Sequence, residues 1–331
     1  MYKLLLLCCL PLVACVSAKP VPVPSSATST SLHQVKRVKV AEGVELEVLD
    51  FGGQGPALVF VPGMGCTGHV FDTFAPEFTA AHHVYSVTRR GFGSSSWPQH
   101  GYDTPTLGED LVRVLEGLAL AKASFAGHSI AGPELTWVAT HHPSRVDKVI
   151  YLDPSTGGDL FADLFKVLPW TSEPPRPAED EASRTSYAAA LARDLGGTLP
   201  EHEVDEAFEF DPKTGHYLRA RERPDAEEQV AKGVSKMDFA AVQTPVLFLT
   251  PAKGPPRRAE DWSDFSTMTP RQQEKLRDTL SQWLRRQTDA ESLGRSNPLW
   301  KVVKLPHARH FIWMTNRDDV LREMKIFLET F

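Results

Sequence analysis

Cysteine is almost absent from the body of this sequence. Of the four in the chain, Cys8, Cys9 and Cys15 fall in the first fifteen residues, which leaves Cys66 alone beyond them. No internal disulfide can form there in any redox compartment. An excess of positive charge is also missing: 36 Lys and Arg stand against 42 Asp and Glu, for a formal charge of −6. With no basic stripe to neutralise phosphates, nucleic acid is excluded as an expected partner. Long apolar runs are missing beyond the N-terminus. The one Gly-rich loop read here as following a strand, at 61–65, has neither the G-x-G-x-x-G nor the Lys-Ser/Thr pattern of a phosphate cradle.

The N-terminus reads as an address. Lys3 precedes an apolar run from Leu4 to Val16, shorter than the ~20 residues of a spanning helix and suited to a secretory signal. The run ends Leu12-Val13-Ala14-Cys15, which resembles the bacterial lipobox. The resemblance implies a signal peptide over 1–14 and lipid attachment at Cys15, so that several acyl chains hold the protein to a membrane. The expected location is the bacterial cell envelope, lipid-anchored, on the periplasmic face. Ordinary cleavage after Ala18, giving a secreted or periplasmic soluble protein, is the alternative. Residues 15–33, with Pro20, Pro22 and Pro24 followed by Ser and Thr, read as a disordered tether.

From Gln34 the chain turns to alternating patterns, and Val44 to Val48 alternates strictly, so two early strands are expected at a sheet edge. Short continuous apolar runs at Ala57–Val61 and His83–Val87 suit parallel strands covered on both faces. A helix is expected over Val70–Phe78. Further along, helical spacing over Thr106–Leu118 leads to a strand at Ala123–Ala126, a helix from Ile130 to about Thr140, and a strand at Lys148–Leu152. After a strand at Pro245–Thr250 come a helix near Gln272–Arg286, a strand at Trp300–Leu305 and a closing helix from Asp319. This alternation implies an α/β fold with a doubly wound, mostly parallel sheet over 34–156 and 241–331. It fails over 157–240, a stretch read as a helical cap inserted over one end of the sheet.

Gly127-His128-Ser129-Ile130-Ala131-Gly132 follows a predicted buried strand and opens a predicted helix. A serine on so sharp a turn projects from the C-terminal edge of the sheet, and its neighbours must be small. Ala131 keeps that requirement where glycine is usual. The alternative is a serine that merely caps the helix. A nucleophile of this kind needs two backbone N–H groups aimed at the developing oxyanion, one after the serine and one from a nearby loop. Ile130 and Met64, in Val61-Pro62-Gly63-Met64-Gly65, are the candidates. The base comes last in chain order. His310 lies between the last strand and the last helix, with His307 as its competitor. The His307/His310 pair has no Glu or Cys nearby to complete a metal site.

Together these elements resemble the α/β-hydrolase superfamily from about Val35 to Phe331. Thr88-Arg89-Arg90-Gly91-Phe92-Gly93-Ser94-Ser95 looks like the superfamily's Arg-Gly-x-Gly-x-Ser loop, and His310-Phe311 like its terminal His loop. The resemblance implies Ser129 as nucleophile, His310 as general base, Met64 and Ile130 as oxyanion donors, and no metal or organic cofactor. Many members carry the triad acid just after the strand that here ends at Thr250, but Pro251-Ala252-Lys253-Gly254 holds no carboxylate. Tyr151-Leu152-Asp153-Pro154 is similar to the Leu-Asp-Pro of pancreatic-type lipases, so Asp153 is the first choice, with Asp159, Asp261 and Asp264 as alternatives. The implied function is a membrane-tethered serine carboxylesterase acting on a small-molecule acyl substrate. Lactonase and amidase or imino-peptidase activity remain open, as does a non-catalytic binding lipoprotein of the same fold.

Overall fold

The computed structural model describes residues 32–164, 176–252 and 268–330. The N-terminal signal, Cys15, Asp261 and Asp264 lie outside the described residues.

An eight-stranded sheet runs β1-β2-β4-β3-β5-β6-β9-β10 across the molecule. Its strands are β1 (Gln34–Ala41), β2 (Val44–Gly52), β3 (Ala57–Val61), β4 (His83–Val87), β5 (Ala123–His128), β6 (Val146–Leu152), β9 (Val246–Pro251) and β10 (Trp300–Leu305). β1 pairs antiparallel with β2 and β2 with β4, whereas every other pairing is parallel. The strand order reverses around β3, which has β4 on one side and β5 on the other. Such a switch point opens a crevice at the C-terminal ends of the strands, where open α/β sheets bind ligands.

Side chains along the central strands divide alternately between two apolar layers, as a period of two demands. Leu58, Phe60, Ala126, Ile150, Leu152, Leu247 and Leu249 pack with Phe71, Phe74 and Trp313 on one face. Val59, Val61, Phe125, Val149, Tyr151, Val246 and Phe248 pack on the other against α1 (Thr104–Gly117) and α2 (Ala131–His141), through Leu111, Leu115, Leu135 and Val138. α1 starts where the Asp103 side chain accepts from the Thr106 N–H at 3.0 Å, which satisfies one of the helix's unpaired first-turn donors.

Between β6 and β9 lie α3 (Gly158–Leu164), α4 (Ala178–Glu181), α5 (Arg184–Leu195), α6 (Glu201–Ala207), the antiparallel hairpin β7 (Phe208–Phe210) and β8 (Tyr217–Ala220), and α7 (Ala226–Lys232). The hairpin was not expected from the sequence, because strands this short carry no readable alternation. The segment is fastened to the sheet's loops: Glu203 accepts from the Thr67 N–H at 3.1 Å and hydroxyl at 2.5 Å, and the Ser94 hydroxyl donates to Glu206 at 2.8 Å. α8 (Pro270–Ser296), α9 (Ile312–Thr315) and α10 (Arg317–Thr330) complete the chain.

The helix expected over Val70–Phe78 is replaced by two 3₁₀ turns, Gly68–Phe71 and Ala75–Phe78. Pro76 lies inside that span and removes an N–H that a continuous helix would use.

Candidate active site

Ser129 follows the last residue of β5 and sits at φ 54°, in the left-handed region. A serine is held there only when its surroundings determine it. Here the Ser129 N–H donates to the Leu152 carbonyl at 3.2 Å, and the Ser129 carbonyl accepts from Gly132 at 3.0 Å and from Ser155 at 2.9 Å. The turn is crowded, so its small residues are obligatory. A Cβ on Gly127 would come within 3.1 Å of the Ala131 Cβ and 2.5 Å of Leu135, and one on Gly132 within 2.7 Å of Pro154. Ser129 keeps partial exposure while His128 and Ile130 on either side are buried.

The loop after β3 lies against this turn because β3 and β5 are paired neighbours. A Cβ on Gly63 would meet Ser129 Cβ at 3.4 Å and His128 Nδ1 at 2.6 Å. Met64 follows Gly63, and Met64 and Ile130 share one apolar cluster with Ala226 and Val230 of α7. Among the described residues, neither the Met64 nor the Ile130 N–H donates to a backbone carbonyl. Arg89 fixes this arrangement. Its guanidinium donates to the carbonyls of Pro62 at 2.9 Å and Gly63 at 3.3 Å, and to the Glu134 carboxylate of α2 at 2.8 Å. One buried side chain therefore ties the loop to the helix that follows Ser129. Burial raises the Glu134 carboxyl, and the Arg89 charge opposes that rise.

His310 and Asp153 meet at the same sheet edge. Asp153 follows β6 directly, at φ 46°, a left-handed position that Asp tolerates better than most residues. Its N–H donates to the Leu249 carbonyl at 2.8 Å. The imidazole Nδ1 of His310 lies 2.7 Å from Asp153 Oδ2, with both side chains buried. A carboxylate can only accept, so Nδ1 carries the proton and Nε2 of a neutral ring is the basic nitrogen. Asp153 Oδ1 accepts from the Thr250 hydroxyl at 3.2 Å. Thr250 thus braces Asp153 from the very strand after which the sequence shows no carboxylate, a contact that the sequence reading missed.

His128 buttresses the site from below. Its ring lies 4.3 Å from His310, 4.8 Å from Phe311 and 4.6 Å from Trp313 between centroids, and its Nε2–H donates to the His310 carbonyl at 3.1 Å. Burial and the neighbouring His310 hold it well below the usual histidine value, hence neutral.

The rival candidates are placed elsewhere. His307 is exposed in a turn with φ 58°. Asp159 pairs with Arg286 of α8. Cys66 is buried, and burial pushes its thiol well up, which keeps it protonated and inert. The structure also gathers a group that sequence spacing could not reveal: His33, His69, Asp72 and His202 converge from three distant stretches of chain.

The sheet order, the serine on a left-handed strand-to-helix turn and the adjoining His–Asp pair define an α/β hydrolase. Residues 58–323 match the Alpha/beta hydrolase family, and the chain belongs to it. It is similar to 3-oxoadipate enol-lactonase 2 of Acinetobacter baylyi, at 25% identity over 222 residues that cover 66% of this chain and 80% of the lactonase. It is also similar to N-formylmaleamate deformylase of Pseudomonas putida, at 28% identity over 141 residues, 39% of this chain and 49% of the relative. Among solved structures, that of E-2-(acetamidomethylene)succinate hydrolase superposes with a TM-score of 0.63 at 20% identity, covering 90% of this chain and all of that one. That likeness is one of fold.

Proposed function

We propose that the protein is a serine hydrolase that cleaves a carboxylic ester through an acyl-enzyme on Ser129. The observation that carries the reading is the 2.7 Å bond from His310 Nδ1 to Asp153 at the sheet edge where Ser129 emerges. In the proposed reaction His310 Nε2 takes the Ser129 proton as the hydroxyl oxygen attacks the acyl carbon, and the Met64 and Ile130 N–H groups receive the negative charge that develops on the carbonyl oxygen. The protonated imidazole then delivers its proton to the leaving alcohol. Water, deprotonated by the same nitrogen, releases the acid and restores Ser129. Asp153 holds the ring in the required tautomer and stabilises its positive charge throughout. Epoxide-opening chemistry on this fold would place an Asp at the nucleophile position, and Ser129 occupies it here.

A lactone is the second substrate class, favoured by the enol-lactonase relative, whose alignment covers 80% of that enzyme's length. A panel of p-nitrophenyl esters, lactones and amides distinguishes these. Turnover highest on open-chain esters is expected; turnover confined to lactones would move the assignment to the second reading. We further propose that Cys15, in its lipobox-like setting, bears the lipid that tethers the enzyme to the envelope. An alkyne fatty acid should label the wild-type chain and fail to label Cys15→Ser, and a wild-type chain without label would refute the tether.

A further inference from the structure

The acyl chemistry proposed for Ser129 makes no use of the four converging residues His33, His69, Asp72 and His202. His33 directly precedes β1, His69 lies in the 3₁₀ turn after the Met64 loop and Asp72 directly follows that turn, and His202 is on α6 of the inserted segment. Asp72 is at their centre, 1% exposed. Its Oδ1 lies 3.3 Å from His33 Nε2, and its Oδ2 lies 3.2 Å from His69 Nδ1 and 3.0 Å from His202 Nδ1. One ligand-type atom from each of the four falls within 4.8 Å of all the others.

We propose that His33, His69, Asp72 and His202 bind a divalent late transition-metal ion, zinc foremost, which clamps the inserted segment to the core. Around zinc with bonds of about 2.0–2.1 Å, tetrahedral ligand atoms stand about 3.3–3.4 Å apart. The two separations from Asp72 Oδ2, to His69 and to His202, lie near that edge length, and His33 Nε2 stands 3.3 Å from the other carboxylate oxygen. Three imidazoles with one carboxylate suit zinc, cobalt, nickel or copper, whereas calcium and magnesium demand oxygen donors. An outer carboxylate is present too. The second ring nitrogen of His69, Nε2, faces Glu47 Oε2 at 3.7 Å, and Glu47 is itself held by the Thr88 hydroxyl at 2.7 Å. A carboxylate behind a histidine orients the ring and leaves the opposite nitrogen, here Nδ1, for the metal. Four protein ligands fill a tetrahedral site and leave no position for substrate, so the ion's role is structural. Because His202 comes from α6, the ion would hold the helix whose Glu203 already grips Thr67.

The test uses the full chain, purified without a histidine tag, stripped with chelator and titrated with Zn²⁺. One zinc per chain should be retained after dialysis, with a raised Tm, and Co²⁺ in its place should show visible absorption of a four-coordinate centre. Zinc could also be held elsewhere on the chain, so the histidine variants decide. His202→Gln, on an exposed side chain that the core does not need, and His33→Gln should each weaken zinc binding by at least about 10-fold with the circular dichroism unchanged. Zinc lost on dialysis of the wild type, or bound as tightly by both variants as by the wild type, would overturn the proposal.

Discussion

Asp153 has two oxygens and two donors: the Thr250 hydroxyl on one, the His310 ring on the other. Replacing it with Asn keeps the shape but offers the ring an N–H as readily as an oxygen, and the tautomer that leaves Nε2 as the basic nitrogen loses its support. Asp153→Asn should therefore lower kcat by up to about 10⁴-fold with KM and Tm little changed. Steady-state kinetics beside thermal melts check this, and a variant that keeps more than about a tenth of wild-type kcat would pass the acid's role to another residue. His128 makes a different kind of statement, about stability. Its buried ring is held well below the usual 6.5. The unfolded chain takes up a proton there as pH falls through that value while the native chain does not, so the unfolded state gains by up to about 1.4 kcal/mol per pH unit. This contribution is fully present above about pH 6.5 and is lost below it. His128→Gln retains an N–H for the His310 carbonyl and should flatten the decline. Urea midpoints at about pH 7 and about pH 5 read it, and an equal slope in both proteins would contradict the assignment.

Among the elements, the contact between the loop after β3 and helix α2 sets where the two N–H groups of the proposed oxyanion site stand. Arg89 makes that contact, and both it and Glu134 are buried. Arg89→Met should cost about 3–5 kcal/mol, since it strands the Glu134 carboxylate. Adding Glu134→Leu should restore most of the Tm. The double variant still has no clamp on the Pro62 and Gly63 carbonyls, so its kcat should stay down by on the order of 10²-fold. Wild-type turnover in the double variant would show that the loop holds itself. The elements were unevenly legible in the sequence. Parallel strands such as Ala57–Val61 declare themselves as buried apolar runs, and the Gly127 to Gly132 turn by the small residues that its crowding enforces. Arg89 was read only as part of a loop, because its partners lie 26 to 45 residues away and no local pattern encodes a contact at that separation. The turns at Gly68–Phe71 and Ala75–Phe78 were misread as a helix because apolar spacing outweighed the single interrupting Pro76.

At the scale of the whole molecule, the switch in strand order around β3 brings the Met64 loop and the Ser129 turn together, and β6 and β10 deliver Asp153 and the loop bearing His310 to the same edge. Chain order alone pointed to His310 over His307 only as a preference, and burial against Asp153 is what separates them in space. The His33, His69, Asp72 and His202 group was illegible for the same reason as the Arg89 clamp: its members come from the start of the core, a loop and the inserted segment, and they meet only after folding. All of the proposed chemistry depends on one hydroxyl being a nucleophile. A fluorophosphonate probe reacts with a serine only when a base and an oxyanion site activate it. The account predicts that the probe modifies the wild-type chain once, at Ser129, and that Ser129→Ala abolishes labelling and lowers kcat by about 10³-fold or more. Labelling that persists in Ser129→Ala, or a folded wild-type chain that takes no probe, would contradict it.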